Sequence, residues 1–336
     1  MNKILIIQTA FIGDVVLATG IAEKLFEFYP DARIDFLLRR GNEGLLAGHP
    51  FINEVFIWDK KQNKYKNLWD ILKTIRRNRY DMVINLQRFG ASGLLTSLSR
   101  AKKKYGFDKN PFSFFFTKSF PHIIGKKGDK TYKHEIERNH ALIQELTDEK
   151  AAKPKLYPSK SDFEFVQPFK NKQYITISPA SVWFTKQYPK EKWVELINQI
   201  PDKFKVYLVG GVGDIQLCEE IKRTSQKKEI DILAGKLSFL QTAAFMKDAA
   251  MNYSNDSAPM HFASAMDAPV TAVYCSTVPE FGFGPLSTIS HIVQENENLE
   301  CRPCGLHGFK ECPLGHFKCA YNIQVQFDFD NLSLNS

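Results

Sequence analysis

Three short runs in this chain of 336 residues carry side chains that could do chemistry. The first, QTAFIGDVV, sets Gly13 and Asp14 at the entry to an apolar helical stretch. A carboxylate there can take a proton from a hydroxyl as a general base. It is equally what the positive end of a helix dipole favours in any protein. The second run, NYSNDSAPMHFASAM, closes an apolar segment with Asn255, Asp256 and Ser257. It then opens a helix with Ala258, Pro259 and, one turn in, His261. Free backbone N–H groups at 257–259 and the Ser257 hydroxyl would make an anion site. An ordinary strand-to-helix turn capped by Asp256 or Ser257 would read the same way. The third run, SPASVWFTKQYPKEKW, carries Lys186, which can pair with a phosphate; most loop lysines are simply solvated. Two weaker signals accompany these. VYLVGGVGD places Gly210 and Gly211 after an apolar run, where backbone can approach a ligand closely. ILAGKLSFLQ supplies Gly235, Lys236 and Leu237 at the end of another.

The elements that must hold these residues alternate. KILIIQ, ARIDFLLR, NEVFIWD, DMVINLQ and KKYGF are short continuous apolar runs, as buried parallel strands require. Helical periods separate them: VVLATGIAEKLFEFYP, ended by Pro30, then LWDILKTIRRNRY and SGLLTSLSRA. A Phe-rich, basic stretch over about 109–133 interrupts the pattern, and HEIERNHALIQEL resumes it as a helix. AAKPKLYPSKSDF, with prolines and no period, reads as a linker. A second alternation follows from QYITISPA to PVTAVYC. The expectation is an α/β chain of two doubly wound, Rossmann-like parallel-sheet domains, 1–160 and 170–325. Ligands in such sheets sit beyond the carboxyl ends of the strands, which for two facing sheets means an interdomain cleft. All three motifs fall at such ends. The first loop has one glycine instead of G-x-G-x-x-G, and Asp14 would repel a pyrophosphate, which disfavours NAD.

Composition excludes other classes. The chain is 43% hydrophobic and 24% charged, as in globular proteins, and no apolar run is long enough to span a bilayer. No signal peptide is evident, so a cytoplasmic location is expected. Ten Lys/Arg against two Asp between Arg100 and Lys133 give +8, equal to the net charge of the whole chain. Lys102, Lys103, Lys104, Lys126 and Lys127 lie in this stretch with Phe107, Phe112, Phe114, Phe115 and Phe116. It could attract an anionic lipid surface or nucleic acid, be a solvated loop, or place its phenylalanines in the core. Cys301, Cys304, Cys312 and Cys319 read C-x2-C-x7-C-x6-C with His307 and His316 interleaved. Only the first pair has zinc-knuckle spacing, so structural zinc, a redox-labile group and reduced buried thiols all stay open. Cys218 and Cys275 read as core. The tail after Cys319 has no apolar helical period and reads as frayed.

KILIIQTAFIGDVVLATG, SPASVWFTKQYPKEKW, LAGKLSFLQTAAFMKDA and NDSAPMHFASAMDAPVTAVYC, in this order from about residue 3 to 320, resemble glycosyltransferase family 9, the ADP-heptose:lipopolysaccharide heptosyltransferases. The resemblance implies a GT-B fold with the acceptor on the first domain and the nucleotide sugar on the second. It implies Asp14 as general base in an inverting transfer and Lys186 near the leaving-group phosphates. It places Gly13, Ser181, Gly210, Gly211, Gly235, Lys236, Leu237, Asp256, Ser257, Ala258 and His261 around the nucleotide sugar. Ala258 stands where many members have Gly, which matters only if that position needs a positive φ. No metal or other cofactor is implied; lysine and a helix N-terminus would stabilise departing ADP. A lipid-linked anionic saccharide acceptor would suit the basic stretch, and peripheral contact with the inner face of the cytoplasmic membrane follows. The alternatives are a GT-B enzyme with another sugar nucleotide or acceptor, and a non-catalytic anion- or nucleic-acid-binding protein, although no nucleic acid is expected as a partner.

Overall fold

The computed structural model describes residues 2–295 and 299–325. The chain divides into two compact units. One holds the described residues through Ile124 together with Lys133–Tyr157; the other holds Gly125–Tyr132 and the described residues from Pro158 onward.

In the first unit the elements are β1 (Lys3–Ile7), α1 (Ile12–Phe28), β2 (Arg33–Arg39), β3 (Glu54–Trp58), α2 (Lys64–Asn78), β4 (Met82–Asn85), α3 (Gly90–Leu98), β5 (Lys103–Phe107), β6 (Lys118–Phe120) and α4 (Glu135–His140). The strands form one sheet in the order β3-β2-β1-β4-β5-β6, and every pairing is parallel. Ile4, Leu5, Ile6 and Ile7 are wholly buried, which is why KILII is apolar without alternation. Strand order reverses between β1 and β4, so the loops leaving their carboxyl ends part and leave a crevice. The loop that leads into α1, and so to Asp14 in its first turn, is one of the two.

The second unit contains α5 (Lys160–Val166), β7 (Tyr174–Ser178), α6 (Lys190–Gln199), β8 (Lys205–Leu208), α7 (Ile215–Thr224), β9 (Ile230–Ile232), α8 (Phe239–Lys247), β10 (Met251–Asn255), α9 (Ala258–Ala265), β11 (Val270–Tyr274), β12 (Ser290–Gln294) and α10 (Lys318–Tyr321). Its sheet runs β12-β11-β10-β7-β8-β9, again all parallel. Here the reversal falls between β7 and β10. The Lys186 loop follows β7 and the Asp256 turn follows β10, so two motifs about 70 residues apart emerge side by side.

Several boundaries differ from those the sequence suggests. β6 and β12 are edge strands with exposed or half-buried residues, so neither shows an apolar run. α2 starts at Lys64, a turn earlier than its leucines indicate. The helix through HEIERNH ends at His140, and a 3₁₀ turn, Gln144–Leu146, follows. Within the apparent linker, Ser159 and Asp162 form a reciprocal cap that starts α5. The units part at Tyr157/Pro158, and residues 125–132 belong with the second unit although they lie inside the first in sequence. The tail after Cys319 is not frayed where it is described: Ala320 and Ile323 are buried in the core of the second unit, and Tyr188 Oη donates to the Ile323 carbonyl at 3.1 Å. These apolar side chains pack singly and need no helical period. The rest of that expectation falls on residues 326–336, which lie outside the described residues.

Candidate active site

In the first unit the crevice loop is built from short polar side chains. Asn85, wholly buried at the end of β4, accepts from the Gln87 backbone N–H at 3.0 Å. The Gln87 carboxamide donates to Gln8, and Thr9 Oγ1 donates to Gln87 Oε1 at 3.2 Å. Lys60 reaches across from the end of β3 and donates to the Thr9 carbonyl at 2.8 Å and Thr9 Oγ1 at 3.1 Å. Desolvation and the nearby cations Arg39 and Lys64 pull the Lys60 ammonium down to about 8. This network fixes the path of residues 8–11 into α1. Phe11 takes the N-cap position with no side-chain cap, so the first turn relies on Asp14, its third residue, for acidic complement to the dipole. Asp14 and Gly13 are half-buried.

In the second unit the two predicted phosphate residues meet. Lys186, the last residue of a 3₁₀ turn, Phe184–Lys186, places Nζ 2.7 Å from Asp256 Oδ2. Thr277 Oγ1 donates to the same carboxylate oxygen at 2.7 Å. Asn255 holds this arrangement from behind. Its Oδ1 accepts from the Tyr188 N–H at 2.8 Å, and its Nδ2 donates to the Pro179 and Ala180 carbonyls at 2.9 and 3.3 Å. One buried amide therefore ties both ends of the Lys186 loop to β10.

Ser257 is the N-cap of α9 with an extended backbone, φ −156°, and makes no side-chain cap. Its hydroxyl instead lies 3.3 Å from Ser254 Oγ. Ala258 begins the helix and is not among the residues with positive φ, so the position sets no backbone demand for glycine. The expected trio of backbone donors at 257–259 must be corrected: Pro259 has no N–H, which leaves Ser257 and Ala258. His261 is buried one turn into α9.

The remaining predicted residues form the turns of the neighbouring strands. The Gly211 N–H donates to Asp214 Oδ2 at 2.7 Å, and a Cβ on Gly210 would lie 2.7 Å from that oxygen. The Gly235 N–H donates to the Gly210 carbonyl at 2.9 Å, and Gly235 adopts φ +74°, which a side chain would strain. Lys236 is exposed and Leu237 packs against the core. Ser181 acts through its backbone, accepting from Gln187 Nε2 at 2.7 Å.

Sequence reasoning missed Thr277 and Arg302, and it picked out Asn255 without its role in bracing the Lys186 loop. Arg302 is buried and donates to the carbonyls of Cys275, Tyr274, Thr277 and Glu295 and to Gln294 Oε1, at 2.8–3.3 Å. It anchors the cysteine-bearing loop under Thr277. Thr185 lies between that loop and the Ser276 backbone: its N–H donates to the Phe309 carbonyl at 3.1 Å, and its Oγ1 accepts from the Phe309 N–H at 2.8 Å. The signal that could have revealed this is an arginine in a stretch otherwise of Cys, Pro and Gly.

Cys301, Cys304, Cys312 and Cys319 line one pocket with His316, and all six cysteines of the chain are free thiols. Among the described residues no three His, Cys, Asp or Glu side chains converge in a way that could hold a metal ion. Burial pushes the Cys319 thiol up to about 12, and Cys304 is raised for the same reason. Cys218 and Cys275 are buried in the core of the second unit.

The basic stretch is split. Lys102 pairs with Asp81 at 2.7 Å, Lys103 lies on β5, and Lys104 donates to the Ser97 carbonyl at 3.1 Å, all in the first unit. Lys126 and Lys127 belong to the second unit, where Lys127 donates to the Leu299 carbonyl at 3.4 Å. Phe107 is core, whereas Phe114 and Phe115 are exposed.

Two six-stranded, doubly wound parallel sheets, each with a polar crevice at its switch point, are the pair of Rossmann-like domains that make up a GT-B fold. The family model for glycosyltransferase family 9 (heptosyltransferase) matches residues 68–310, more than half of the chain, so the chain belongs to that family. A curated relative, lipopolysaccharide heptosyltransferase 3 of Escherichia coli, is 28% identical over 281 residues, covering 80% of this chain and 82% of its own. Among solved structures, the glycosyltransferase family 9 protein of Veillonella parvula superposes with a TM-score of 0.77 at 22% identity, covering 87% of this chain and 85% of its own. The ADP-heptose lipopolysaccharide heptosyltransferase II of Escherichia coli gives 0.75 at 22% identity, covering 91% and 92%. No helix among the described residues is long and apolar enough to cross a membrane.

Proposed function

We propose that this glycosyltransferase moves heptose from ADP-heptose to the inner core of lipopolysaccharide with inversion at the anomeric carbon. The observation that carries this reading is the Lys186–Asp256 pair at the β7/β10 switch point, beside the N-terminus of α9. An ammonium already oriented by a carboxylate, with two backbone donors next to it, suits a nucleoside diphosphate whose charge grows as it departs.

The transfer is one displacement. An acceptor hydroxyl oxygen attacks the anomeric carbon, the bond from that carbon to the β-phosphate oxygen breaks, and ADP leaves with the electron pair. Asp14 takes the hydroxyl proton. A sugar hydroxyl is far less acidic than a carboxylic acid, so proton transfer accompanies attack and does not precede it. Lys186 and the N–H groups of Ser257 and Ala258 bear the charge on the leaving diphosphate, and no divalent cation is required. The acceptor would be a lipid-linked anionic saccharide at the inner face of the cytoplasmic membrane.

The test is thermal stability with ADP, UDP, GDP and NAD in parallel, each with and without EDTA. ADP alone should stabilise, by about 2.7 kcal/mol at a hundredfold excess over its dissociation constant. Asp256→Ala should abolish the shift, and Asp14→Ala should keep it while transfer from ADP-heptose stops. Stabilisation by UDP alone would replace the donor. A shift that needs a divalent cation would overturn the metal-free reading.

A further inference from the structure

Segment 60–79 holds eight Lys/Arg and one acid, Asp70, a local charge of +7 that rivals the stretch at 100–133. Most of it is α2. This helix buries Leu68, Leu72 and Ile75 against the sheet at helical spacing. Next to that stripe it presents Tyr65 and Trp69, which are 74% and 54% exposed. A helix that merely closes a sheet has no use for two large aromatic rings on its outer side.

Those rings are not isolated. Together with Leu68 and Leu72 they form one wall of an open groove whose other wall is α3. α3 is short and begins Gly-Ala-Ser-Gly, so that wall is low and the groove stays open. Gly90, Ala91, Leu94, Leu95 and Phe112 complete the lining, and Lys64 at its mouth is the one charged residue. From Phe112 the aromatic surface continues: its ring lies 6.5 Å from Phe115, and Phe115 lies 4.1 Å from Phe114. Phe114 and Phe115 are 75% and 54% exposed. The result is a contiguous apolar and aromatic face within a single unit.

Around it the charge is of one sign. Lys64, Lys66, Lys73, Arg77 and Arg79 are exposed, and the single acid, Asp70, is met by Lys73 at 3.4 Å. Aromatic rings with lysines beside them and no net acidic partner match the interface of an anionic bilayer: rings enter the headgroup layer and ammonium groups meet lipid phosphates. A second protein copy would instead bring the same basic surface against itself, which like-charge repulsion opposes. We propose that the α2–α3 face, with Tyr65, Trp69, Phe112, Phe114 and Phe115, is the surface by which the protein docks on an anionic phospholipid bilayer. This moves the docking surface away from Lys102–Lys104, whose ammonium groups are engaged in part with Asp81 and the Ser97 carbonyl.

The test is co-sedimentation of the full chain with vesicles of phosphatidylglycerol and, separately, of phosphatidylcholine, neither containing any saccharide. The outcome is thereby separate from the transfer reaction. Binding to phosphatidylglycerol should fall with added salt, and phosphatidylcholine should bind little. Trp69→Ser with Tyr65→Ser should weaken binding on the order of tenfold or more. Lys64→Gln or Lys66→Gln should each weaken it about fivefold. Both aromatic positions face solvent, so the melting temperature and the ADP-induced shift should not change. Trp69 emission should move to the blue on binding, and Trp69→Phe should remove that signal while binding persists. No binding to phosphatidylglycerol, equal binding to both lipids, or binding indifferent to Tyr65 and Trp69 would each overturn the proposal. So would a solution dimer that Trp69→Ser dissolves in a protein that ignores vesicles.

Discussion

Replacing Lys186 by Met should cost more than replacing Asp256 by Asn, and the two changes together should cost less than their sum. Nζ and Oδ2 are 2.7 Å apart, and the side chains are only 16% and 8% exposed. At an effective dielectric of about 20, unit charges about 4 Å apart attract by about 4 kcal/mol. Desolvating both groups cancels much of that, and the net value of such a pair is small even when its rupture is costly. Lys186→Met leaves a carboxylate with little access to water, its remaining partner being the Thr277 hydroxyl at 2.7 Å. Asp256→Asn leaves an ammonium that is twice as exposed and can turn to water. We therefore expect a loss of about 2–3 kcal/mol for Lys186→Met, about 1–2 for Asp256→Asn, and a coupling of about 1–3 from the full cycle. Urea unfolding of the four proteins, read at the midpoint with the slope checked for constancy, gives these numbers. Transfer assays on the same proteins should show kcat lowered by about 10²–10³ for Lys186→Met, as for the loss of one preorganised donor to a developing anion. A coupling below about 0.3 kcal/mol would mean that the two side chains do not act as a unit, and would refute the reasoning.

Arg302→Lys should destabilise the second unit by about 3 kcal/mol or more, because an ammonium cannot replace a buried planar fork that meets five acceptors; thermal unfolding measures it. Gly308→Ala places a Cβ 2.8 Å from Thr185 Oγ1 and 3.1 Å from Lys186 Cγ at a φ of +79°, so stability should fall by about 1–2 kcal/mol and transfer should fall with it, in parallel assays. Lys60 should titrate near 8; because its value drops on folding from the ordinary 10.5, the native state sheds this proton first and Lys60 adds stability as pH rises from 8 to 10.5. NMR of the dimethylated lysine should give that midpoint, and a value near 10.5 would remove the inferred crowding. Thiol titration at neutral pH should label Cys301 and Cys312 first and leave Cys218, Cys275 and Cys319 until unfolding.

The two sheets are legible because a strand buried on both faces must be mostly apolar without alternation, as Ile4–Ile7 of KILII and most of VTAVY are. β6 and β12 escape the same reading because an edge strand has one free side and needs no such run: KSF and SHIVQ are polar at alternate or terminal positions. Asp14, Lys186 and Asp256 are legible as candidates from their places after strands. Their partners are not. The Lys186–Asp256 contact follows from which strands become neighbours, a property of sheet order and not of either motif. Asn255 reads as one more polar residue of a turn, although its amide holds both ends of a loop some 70 positions earlier. The +7 of segment 60–79 is plain in the sequence, but that Tyr65 and Trp69 stand exposed together on α2 depends on where the helix starts and which side it buries, and these come from the structure.

The way residues 125–132 are shared out has a consequence for synthesis and for dissection. The chain passes between the units at 124/125, 132/133 and 157/158, so neither unit is one uninterrupted piece of polypeptide. On the ribosome the first unit cannot close until residues 133–157 have emerged, and by then an eight-residue fragment of its neighbour is already made and waiting. That fragment is closely fitted: Gly128 N–H donates to Glu280 Oε1 at 3.0 Å, and a Cβ on Gly125 would lie 2.2 Å from the Glu280 carbonyl oxygen. A cut at 157/158, the obvious place to express the halves apart, would strip the carboxyl-terminal half of a segment that its own fold uses.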